Sequence, residues 1–392
     1  MIKKIFFTFI VFLLATISIV GSFLFLKSIN RVNESLEVKS VLNNSEFSVQ
    51  GKNADRWLKS LYEVNKVPSI SAAVGINGKL VWSGVIGYSD LEKKVQADNN
   101  TVYRVGSISK SITATTVMRM NEKGIIDIEK PLKDYVKDFS SNNGYTIKNL
   151  LSHQAGIRHY SNGPLGSYNA DEYVTARDSA SIVINDALLF PAGTGFNYSS
   201  YGYNLIALAI ESTSSLPFEE AVLREVLSPI GMTATHLEKK SDPKATKSAV
   251  PHSLVGSILI KSPDVNLSDR YAGGGYLSTP SDLVRFGNAL LGNEFLKSDS
   301  INKLWSPVPL QNGAKNPQNY ALGFRVDHDE QGKYIHHGGI SMGGYSFLLI
   351  YPDLGVVVVL ASNISPLVAA SAPFERLVEA KKLANIFVSQ RN

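Results

Sequence analysis

Segments with the character of β-strands lie towards both ends of this chain, and a long helical region separates them. Residues 70–76 and 79–86 flank Asn77-Gly78, a dipeptide that favours the type I′ turn of a β-hairpin. Three further strand-like segments, separated by glycine- and proline-containing turns, lie at 333–337, 345–351 and 356–362. This order predicts an α+β fold, in which both ends of the chain complete one antiparallel sheet around an inserted all-helical region.

Helical spacing of apolar residues predicts helices at the two ends of the domain and throughout its middle. The predicted helices cover 54–64, 104–123, 146–153, 204–212, a segment that follows Thr279, and 373–388. Thr279 is followed by Pro280 and then by Asp282, a combination typical of a capped helix start. The helices at 54–64 and 373–388 are expected to flank the sheet.

The N-terminus contains an uncharged apolar segment at residues 5–26, preceded by Lys3 and Lys4. Such a segment is long enough to cross a hydrocarbon layer of about 30 Å as one helix. It exceeds the apolar core of about 7–15 residues found in cleaved signal peptides, and no Ala-x-Ala site follows it. The pattern predicts one N-terminal transmembrane helix acting as an uncleaved signal anchor; a cleaved signal peptide is the alternative.

The two lysines favour an N-terminus that stays in the cytoplasm, so residues 1–4 are predicted to form a cytoplasmic tail. Residues 27–50 are polar and rich in Ser and Asn, and they are predicted to be a linker. The remaining residues, 51–392, are predicted to form one domain on the periplasmic or extracellular side of the inner (plasma) membrane.

The composition excludes several classes of function. With 44% hydrophobic and 19% charged residues the chain is not disordered, and with no cysteine it has no disulfides, thiol nucleophile or thiolate zinc site. The net charge is +5, but no basic cluster with interleaved aromatic residues is present, so no nucleic-acid partner is expected.

A Ser-x-x-Lys spacing occurs three times, and two copies lie in polar stretches around residues 241 and 300 that are most simply solvated surface. The third, Ser107 and Lys110, begins a predicted helix with no charge between Lys110 and Arg119. One helical turn brings the amine to the hydroxyl, and burial lowers the pKa of a lysine. A neutral amine beside a serine can serve as the base in acyl transfer. The alternative is a capping serine with a lysine that extends to solvent.

Two further candidates lie later in the chain. Tyr198 stands in a Gly/Pro-rich loop before an apolar helix, where a tyrosine can share a proton with a nucleophile or simply pack. His336-His337-Gly338-Gly339 ends a predicted strand, where glycines allow a substrate backbone to approach. Adjacent strand residues face opposite sides, so one histidine at most faces a cleft. A metal site is the competing interpretation, but no second cluster at ligand spacing supports it.

In this order, the serine, lysine, tyrosine and His-x-Gly motifs resemble the penicillin-recognising serine hydrolases, which include class C β-lactamases, D-Ala-D-Ala carboxypeptidases and related esterases. The similarity extends from about Ala54 to the C-terminal helix. The segments RVGSISKSITA, LLSHQAGIRHY and YAGGGYLSTPSDLVRFGNALL are most similar to the mitochondrial serine β-lactamase-like branch and its bacterial relatives. The resemblance implies a β-lactamase/transpeptidase-like fold, with no cofactor and no metal.

The resemblance also implies roles for individual residues. Ser107 is the expected nucleophile, Lys110 the general base, Tyr198 a proton-transfer group, and the backbone N–H groups of Ser107 and Ile340 the oxyanion donors. The expected substrate-binding residues are Ser200, His337, Gly338 and Gly339, with a triplet starting at His336 as a one-residue alternative.

Two departures from the family pattern bear on the substrate. Ser200 stands where many relatives have asparagine, and His337 stands where β-lactamases usually have lysine. Both changes favour an esterase, amidase or peptidase over antibiotic hydrolysis. The expectation is a membrane-anchored serine hydrolase acting on a small-molecule or peptide substrate. The alternatives are a D,D-carboxypeptidase or β-lactamase with a cell-wall-derived substrate, and a non-catalytic scaffold with the same fold.

Overall fold

A computed structural model describes residues 34–137, 144–160, 168–169, 171–239, 247–366 and 372–388. The strands are β1 Lys39–Leu42, β2 Ser69–Ile76, β3 Lys79–Asp90, β4 Val95–Gln96, β5 Tyr103–Arg104, β6 His236–Leu237, β7 His252–Val255, β8 Ile258–Lys261, β9 Tyr276–Ser278, β10 Arg325–Asp329, β11 Gly332–Ser341, β12 Gly344–Tyr351, β13 Val356–Ser362 and β14 Ile364–Pro366. The α-helices are α1 Ser48–Asn65, α2 Ile108–Glu122, α3 Ile147–Leu151, α4 Ala176–Ala180, α5 Tyr201–Ser214, α6 Phe218–Val222, α7 Tyr271–Gly274, α8 Pro280–Leu291, α9 Ser298–Leu304 and α10 Arg376–Val388.

The main sheet has the order β1-β3-β2-β13-β12-β11-β10, with β4 added beside β3. All the pairings within it are antiparallel, and the central pairing of β2 with β13 joins the two ends of the chain, as predicted. The hairpin between β2 and β3 turns at Asn77 and Gly78, whose φ angles of 48° and 79° fit a type I′ turn. Two small three-stranded sheets, β14-β7-β8 and β5-β9-β6, lie beside it.

Helices cover both faces of the main sheet, because its central strands are apolar on both sides. One face packs against α1 and α10 in a core that includes Leu58, Trp82 and Phe387. The other face packs against α8 and the helical region in a second core. The predicted cap of α8 is confirmed, since Thr279 accepts a hydrogen bond from the backbone N–H of Asp282.

The folded domain begins before residue 51. Within the segment predicted as a linker, β1 pairs with β3 at the edge of the sheet, and α1 begins at Ser48. Glu34 contacts the domain still earlier, because its carboxylate accepts hydrogen bonds from Tyr88 and from Lys94, the latter at 2.8 Å. The predicted transmembrane segment 5–26 lies outside the described residues. Within the described ranges, no helix is both long and apolar enough to cross a membrane.

The helix predicted from residue 104 begins four residues later, at Ile108. Tyr103 and Arg104 instead pair as β5 with β9, opposite Ser278 and Leu277. Gly106, with φ of 50°, then turns the chain from this strand into α2. The strand-turn-helix arrangement places Ser107 at the start of a buried helix.

Candidate active site

Ser107 stands at the N-terminus of α2, partly exposed, where α2 meets the end of β11. A Cβ atom added to Gly106 would lie 2.7 Å from both the backbone nitrogen and the carbonyl oxygen of Ile340. The glycine therefore permits a close approach that a larger residue would block. As a result, the residue just before Ser107 packs against the backbone of Ile340, and the family resemblance implies that the backbone N–H groups of Ser107 and Ile340 are the oxyanion donors.

Lys110 follows one turn later and is completely buried. Its Nζ lies 3.2 Å from Ser107 Oγ, 2.8 Å from Ser200 Oγ and 2.6 Å from the carbonyl oxygen of Gly273. Burial lowers the pKa of Lys110 well below its ordinary value, and the positive charges of Arg325 and Arg270 lower it further. The lysine is thus placed to be a neutral amine in contact with the serine.

A neutral amine has two N–H donors and one lone pair. The Gly273 carbonyl can only accept, so it takes one N–H, and the Ser200 hydroxyl can accept the other. The lone pair is then free to accept the Ser107 O–H. Position 273 requires glycine, because an added Cβ would lie 2.9 Å from the carbonyl oxygen of Ser200.

Tyr198 lies on the other side of the serine. Its ring centroid is 4.8 Å from Lys110 Nζ, and its hydroxyl interacts with the Ser107 side chain, which acts to lower the pKa of the phenol. Burial raises the pKa of Tyr198 to about 12, although the nearby Arg325 acts in the opposite direction. At neutral pH the phenol therefore keeps its proton, and it can relay one between groups around Ser107.

Of the two adjacent histidines, His337 faces this site. Its ring is fully buried, with its centroid 6.4 Å from that of Tyr198, and its Nε2 lies 2.9 Å from the hydroxyl of Tyr320. Its Nδ1 lies 2.8 Å from the Gly338 carbonyl, which requires a proton on Nδ1. Burial lowers the pKa of His337 well below its usual value, and the charge of Arg325 adds to this.

His336 faces away from the site, as strand alternation requires. Its Nε2 pairs with Asp327 at 2.9 Å, and its ring stacks on Phe347. The arrangement favours the triplet that begins at His337 over the one that begins at His336.

The two glycines that follow His337 let the neighbouring chain segments approach. A Cβ on Gly339 would lie only 1.9 Å from the carbonyl oxygen of Val105, and one on Gly338 would lie 3.2 Å from the guanidinium of Arg376. Gly339 thus packs against the residues that lead into Ser107. Ile340, the next residue, is 50% exposed, so a molecule in the cleft can reach it.

Arg325, at the start of β10, also faces the site, although the sequence predicted no role for it. Its guanidinium carbon lies 5.4 Å from the Tyr198 ring centroid, and its Nη1 lies 3.5 Å from His337 Nε2. Its other terminal nitrogen donates to Gln318 at 2.6 Å. No motif marks this residue, because only the pairing of β10 with β11 brings it near the site, where it lies opposite His336 and its guanidinium reaches His337.

The residues that the sequence selected for acyl transfer therefore come together from three separate segments. Among the residues that the structure describes, no group of three or more His, Cys, Asp or Glu side chains is arranged to hold a metal ion.

Residues 54–380 match the family model described as Beta-lactamase, and this range includes all of the site. The chain belongs to the Beta-lactamase family. It is a serine hydrolase of the β-lactamase and penicillin-binding-protein type. The human mitochondrial serine beta-lactamase-like protein LACTB is 26% identical to it, over 73% of this chain and 69% of its own. The putative penicillin-binding protein PbpX of Bacillus subtilis is 24% identical, over 85% of this chain and 83% of its own.

Two solved structures share the fold of this chain at low sequence identity. FmtA of Staphylococcus aureus superimposes with a TM-score of 0.72 and 20% identity, covering 92% of each chain. The D-amino acid amidase of Ochrobactrum anthropi superimposes with a TM-score of 0.74 and 18% identity, covering 87% of this chain and all of its own. The β-lactamase-like α+β fold expected from the sequence is confirmed.

Proposed function

We propose that this Beta-lactamase-family enzyme cleaves an ester, amide or peptide bond by acyl transfer through an ester on Ser107. The observation that carries the proposal is the contact between a buried Lys110 amine and the Ser107 hydroxyl at 3.2 Å. A lysine held neutral by burial can take the proton of the serine hydroxyl. A lysine exposed to solvent, or distant from Ser107, could not act as this base.

In the proposed first step, Ser107 Oγ attacks the substrate carbonyl carbon while its proton passes to the lone pair of Lys110. The negative charge develops on the carbonyl oxygen beside the backbone N–H groups of Ser107 and Ile340. The bond to the leaving group then breaks, and the leaving atom receives the proton from Lys110 through Tyr198, whose hydroxyl interacts with Ser107, so that Lys110 is neutral again. In the second step water loses a proton to Lys110 and attacks the ester, the bond between Ser107 Oγ and the acyl carbon breaks, and Oγ takes up that proton as the carboxylic acid leaves.

The substrate class follows from the groups around the cleft. His337 is neutral and Ser200 is occupied by Lys110, so neither supplies a fixed charge for a substrate. These features support an ester or amide substrate that carries no charge next to the scissile bond. The departures from the family pattern at Ser200 and His337 favour the same class.

Ser107→Ala tests the mechanism. Intact protein is incubated with a fluorophosphonate and with a penicillin, and adducts are measured by mass spectrometry. The wild type is expected to gain one adduct on Ser107 and the variant none. Ser111→Ala is the matched control, because Ser111 lies on the same helix but donates to Gly323. A labelled Ser107→Ala variant would reject this nucleophile, and a folded wild type that reacts with no probe would favour the non-catalytic scaffold.

Arg325 supports a second candidate, a carboxypeptidase or β-lactamase whose substrate carries a carboxylate. A guanidinium 3.5 Å from His337 restores the positive charge that the family lysine would have supplied. Kinetics with nitrocefin, with a D-Ala-D-Ala peptide and with neutral esters distinguish the two candidates. If this second function holds, Arg325→Gln raises KM for the carboxylate substrates and leaves KM for neutral esters unchanged.

The location proposed for the enzyme is the outer face of the plasma membrane, with residues 5–26 as its anchor. The uncharged apolar segment and the two lysines before it support this assignment. The test is membrane fractionation of cells, followed by protease treatment of spheroplasts. Protein that stays soluble at full length would contradict the anchor.

A further inference from the structure

Two histidines that the mechanism does not use surround the tyrosine segment. His153 and His159 lie between α3 and α4, in the segment LLSHQAGIRHY. The ring centroid of His153 is 4.3 Å from that of Tyr198, and the ring of His159 meets Tyr198 edge-on at 5.6 Å. The Tyr198 ring is therefore in contact with histidines on two sides.

His153 binds the backbone on both sides of Tyr198. Its carbonyl oxygen accepts the N–H of Asn197 at 2.9 Å, and its Nδ1 accepts the N–H of Ser199 at 3.1 Å. Residues before and after the tyrosine are thus attached to a single residue. Two such bonds fix the direction in which the Tyr198 side chain leaves the backbone.

His159 makes the corresponding contact one residue further on. Its Nδ1 accepts the backbone N–H of Ser200 at 3.2 Å, and Ser200 in turn contacts Lys110. Both rings act as acceptors at Nδ1, so both must be without a proton there. Burial lowers the pKa of His159 to about 3 and holds that of His153 well below its usual range.

The backbone of His153 is unusual, with a φ of 61°, a left-handed conformation that non-glycine residues rarely adopt. Its Nε2 is buried and has no hydrogen-bond partner in the described structure. A strained backbone and a buried donor without an acceptor are both unfavourable, and such features concentrate at functional sites. Here the conformation lets the carbonyl and the ring of one residue reach the same loop.

We propose that His153 and His159 are positioning residues that hold Tyr198 and Ser200 in place through hydrogen bonds accepted by their Nδ1 atoms. They touch no substrate and act through the residues that contact Ser107 and Lys110. The inference rests on the proposed function, since it assumes that Tyr198 and Ser200 take part in acylation of Ser107. It adds that the alignment of both residues depends on the segment at 153–159.

The test compares His153→Leu with His153→Asn. Asparagine places an oxygen near the position of Nδ1 and tolerates a positive φ, whereas leucine has a similar size and no acceptor. The acylation rate constant and KM are measured with a p-nitrophenyl ester in single-turnover experiments, beside the thermal unfolding midpoint. We expect leucine to slow acylation about tenfold or more with little change in KM, and asparagine to restore most of the rate.

A double variant separates positioning from general stability. In a Tyr198→Phe background, His153→Leu is expected to cost little further rate, because the group it positions is already gone. The proposal would be overturned if His153→Leu slowed acylation as much in the Tyr198→Phe background as in the wild type. It would also be overturned if His153→Leu alone left the acylation rate unchanged. A wild type that never acylates Ser107 would instead reject the proposed function itself.

The partly exposed His159 gives a second set of variants if His153→Leu does not fold. His159→Leu and His159→Asn are compared in the same way, with Ser200→Ala as the background. The proposal is supported if His159→Leu slows acylation, His159→Asn restores most of the rate, and His159→Leu causes no further loss in the Ser200→Ala background. Equal rates for the two variants and the wild type contradict it.

Discussion

The amine of Lys110 lies closer to the hydroxyl of Ser200, at 2.8 Å, than to the hydroxyl of Ser107, at 3.2 Å. The residue that departs from the usual asparagine of the family is therefore a direct partner of the lysine. The short side chain brings its oxygen to the amine, and Ser200 is almost completely buried. It belongs with the groups that control the lysine proton more than with those that meet a substrate.

Ser200→Ala is expected to slow acylation of Ser107 because it removes one of the two acceptors that orient the amine. The loss of a hydrogen bond between neutral groups corresponds to about 0.5–1.5 kcal/mol, or a factor of roughly 2–10 in rate. Stopped-flow measurement with a chromogenic ester checks the value. Ser111→Ala serves as the control, and a Ser200→Ala rate equal to that control would show that Ser200 has no part in orienting the lysine.

Lys110→Met is expected to lose activity by a factor of about 10²–10⁴, the usual contribution of a positioned base. The same change should stabilise the fold. Lys110 has a lowered pKa in the folded state, so at neutral pH the unfolded chain binds a proton that the folded chain does not, and this linkage disfavours folding. Each unit by which burial lowers the pKa of Lys110 corresponds to about 1.4 kcal/mol of this linkage cost.

Denaturant unfolding at several pH values checks the sign of that effect. The wild type should gain stability as the pH rises from the lowered pKa towards about 10.5, where the unfolded lysine also loses its proton. The advantage of Lys110→Met should therefore shrink as the pH rises. A variant less stable than the wild type at pH 7 would contradict a neutral buried amine.

The pH dependence of acylation should shift in Arg325→Gln. Acylation requires neutral Lys110, so the rate rises with pH through its pKa, which Arg325 helps to lower. Removing this positive charge raises the pKa and moves the rising limb to higher pH. Rates with an uncharged ester between pH 4 and about 10 test this, because substrate charge then plays no part. If the acylation rates of Arg325→Gln and the wild type rose over the same pH range, Arg325 would have no influence on the pKa of Lys110.

Gly339→Ala is expected to reduce activity strongly, since its Cβ would lie 1.9 Å from the Val105 carbonyl and one of the two segments must move. A displacement of about 1 Å near reacting groups costs about 10² in rate. Gly292→Ala is the matched control, because an added Cβ there meets nothing within 4 Å. Steady-state kinetics that gave both variants the same kcat/KM would contradict a tight fit between β11 and the loop before Ser107.

Local signals in the sequence predicted the parts of this molecule that depend on neighbours in the chain. The turn at Asn77-Gly78, the cap at Thr279 and the helical turn between Ser107 and Lys110 are of this kind, and each is present. Gly273 and Arg325 went unassigned because their contacts depend on which elements pack together. The segment YAGGG belongs to a stretch that resembles the family, and nothing in it indicates that the Gly273 carbonyl binds the lysine.

The helix start at Ile108 illustrates the same limit. Apolar spacing alone favoured a helix from residue 104, but pairing with β9 takes Tyr103 and Arg104 into a strand. The histidines at 153 and 159 were visible in the sequence as part of a family-like segment. Their contact with the tyrosine loop appears only when α3 and α5 are packed side by side.

The early attachment of the chain at Glu34 sets a geometric limit on the proposed anchoring. If residues 5–26 lie in the bilayer, only residues 27–33 are left to bridge from its surface to the first contact with Tyr88 and Lys94. Fully extended, a segment of this length spans at most about 25 Å. An enzyme tethered so tightly would sample a thin layer next to the lipid, and it would meet substrates attached to or concentrated at that surface in preference to freely diffusing ones.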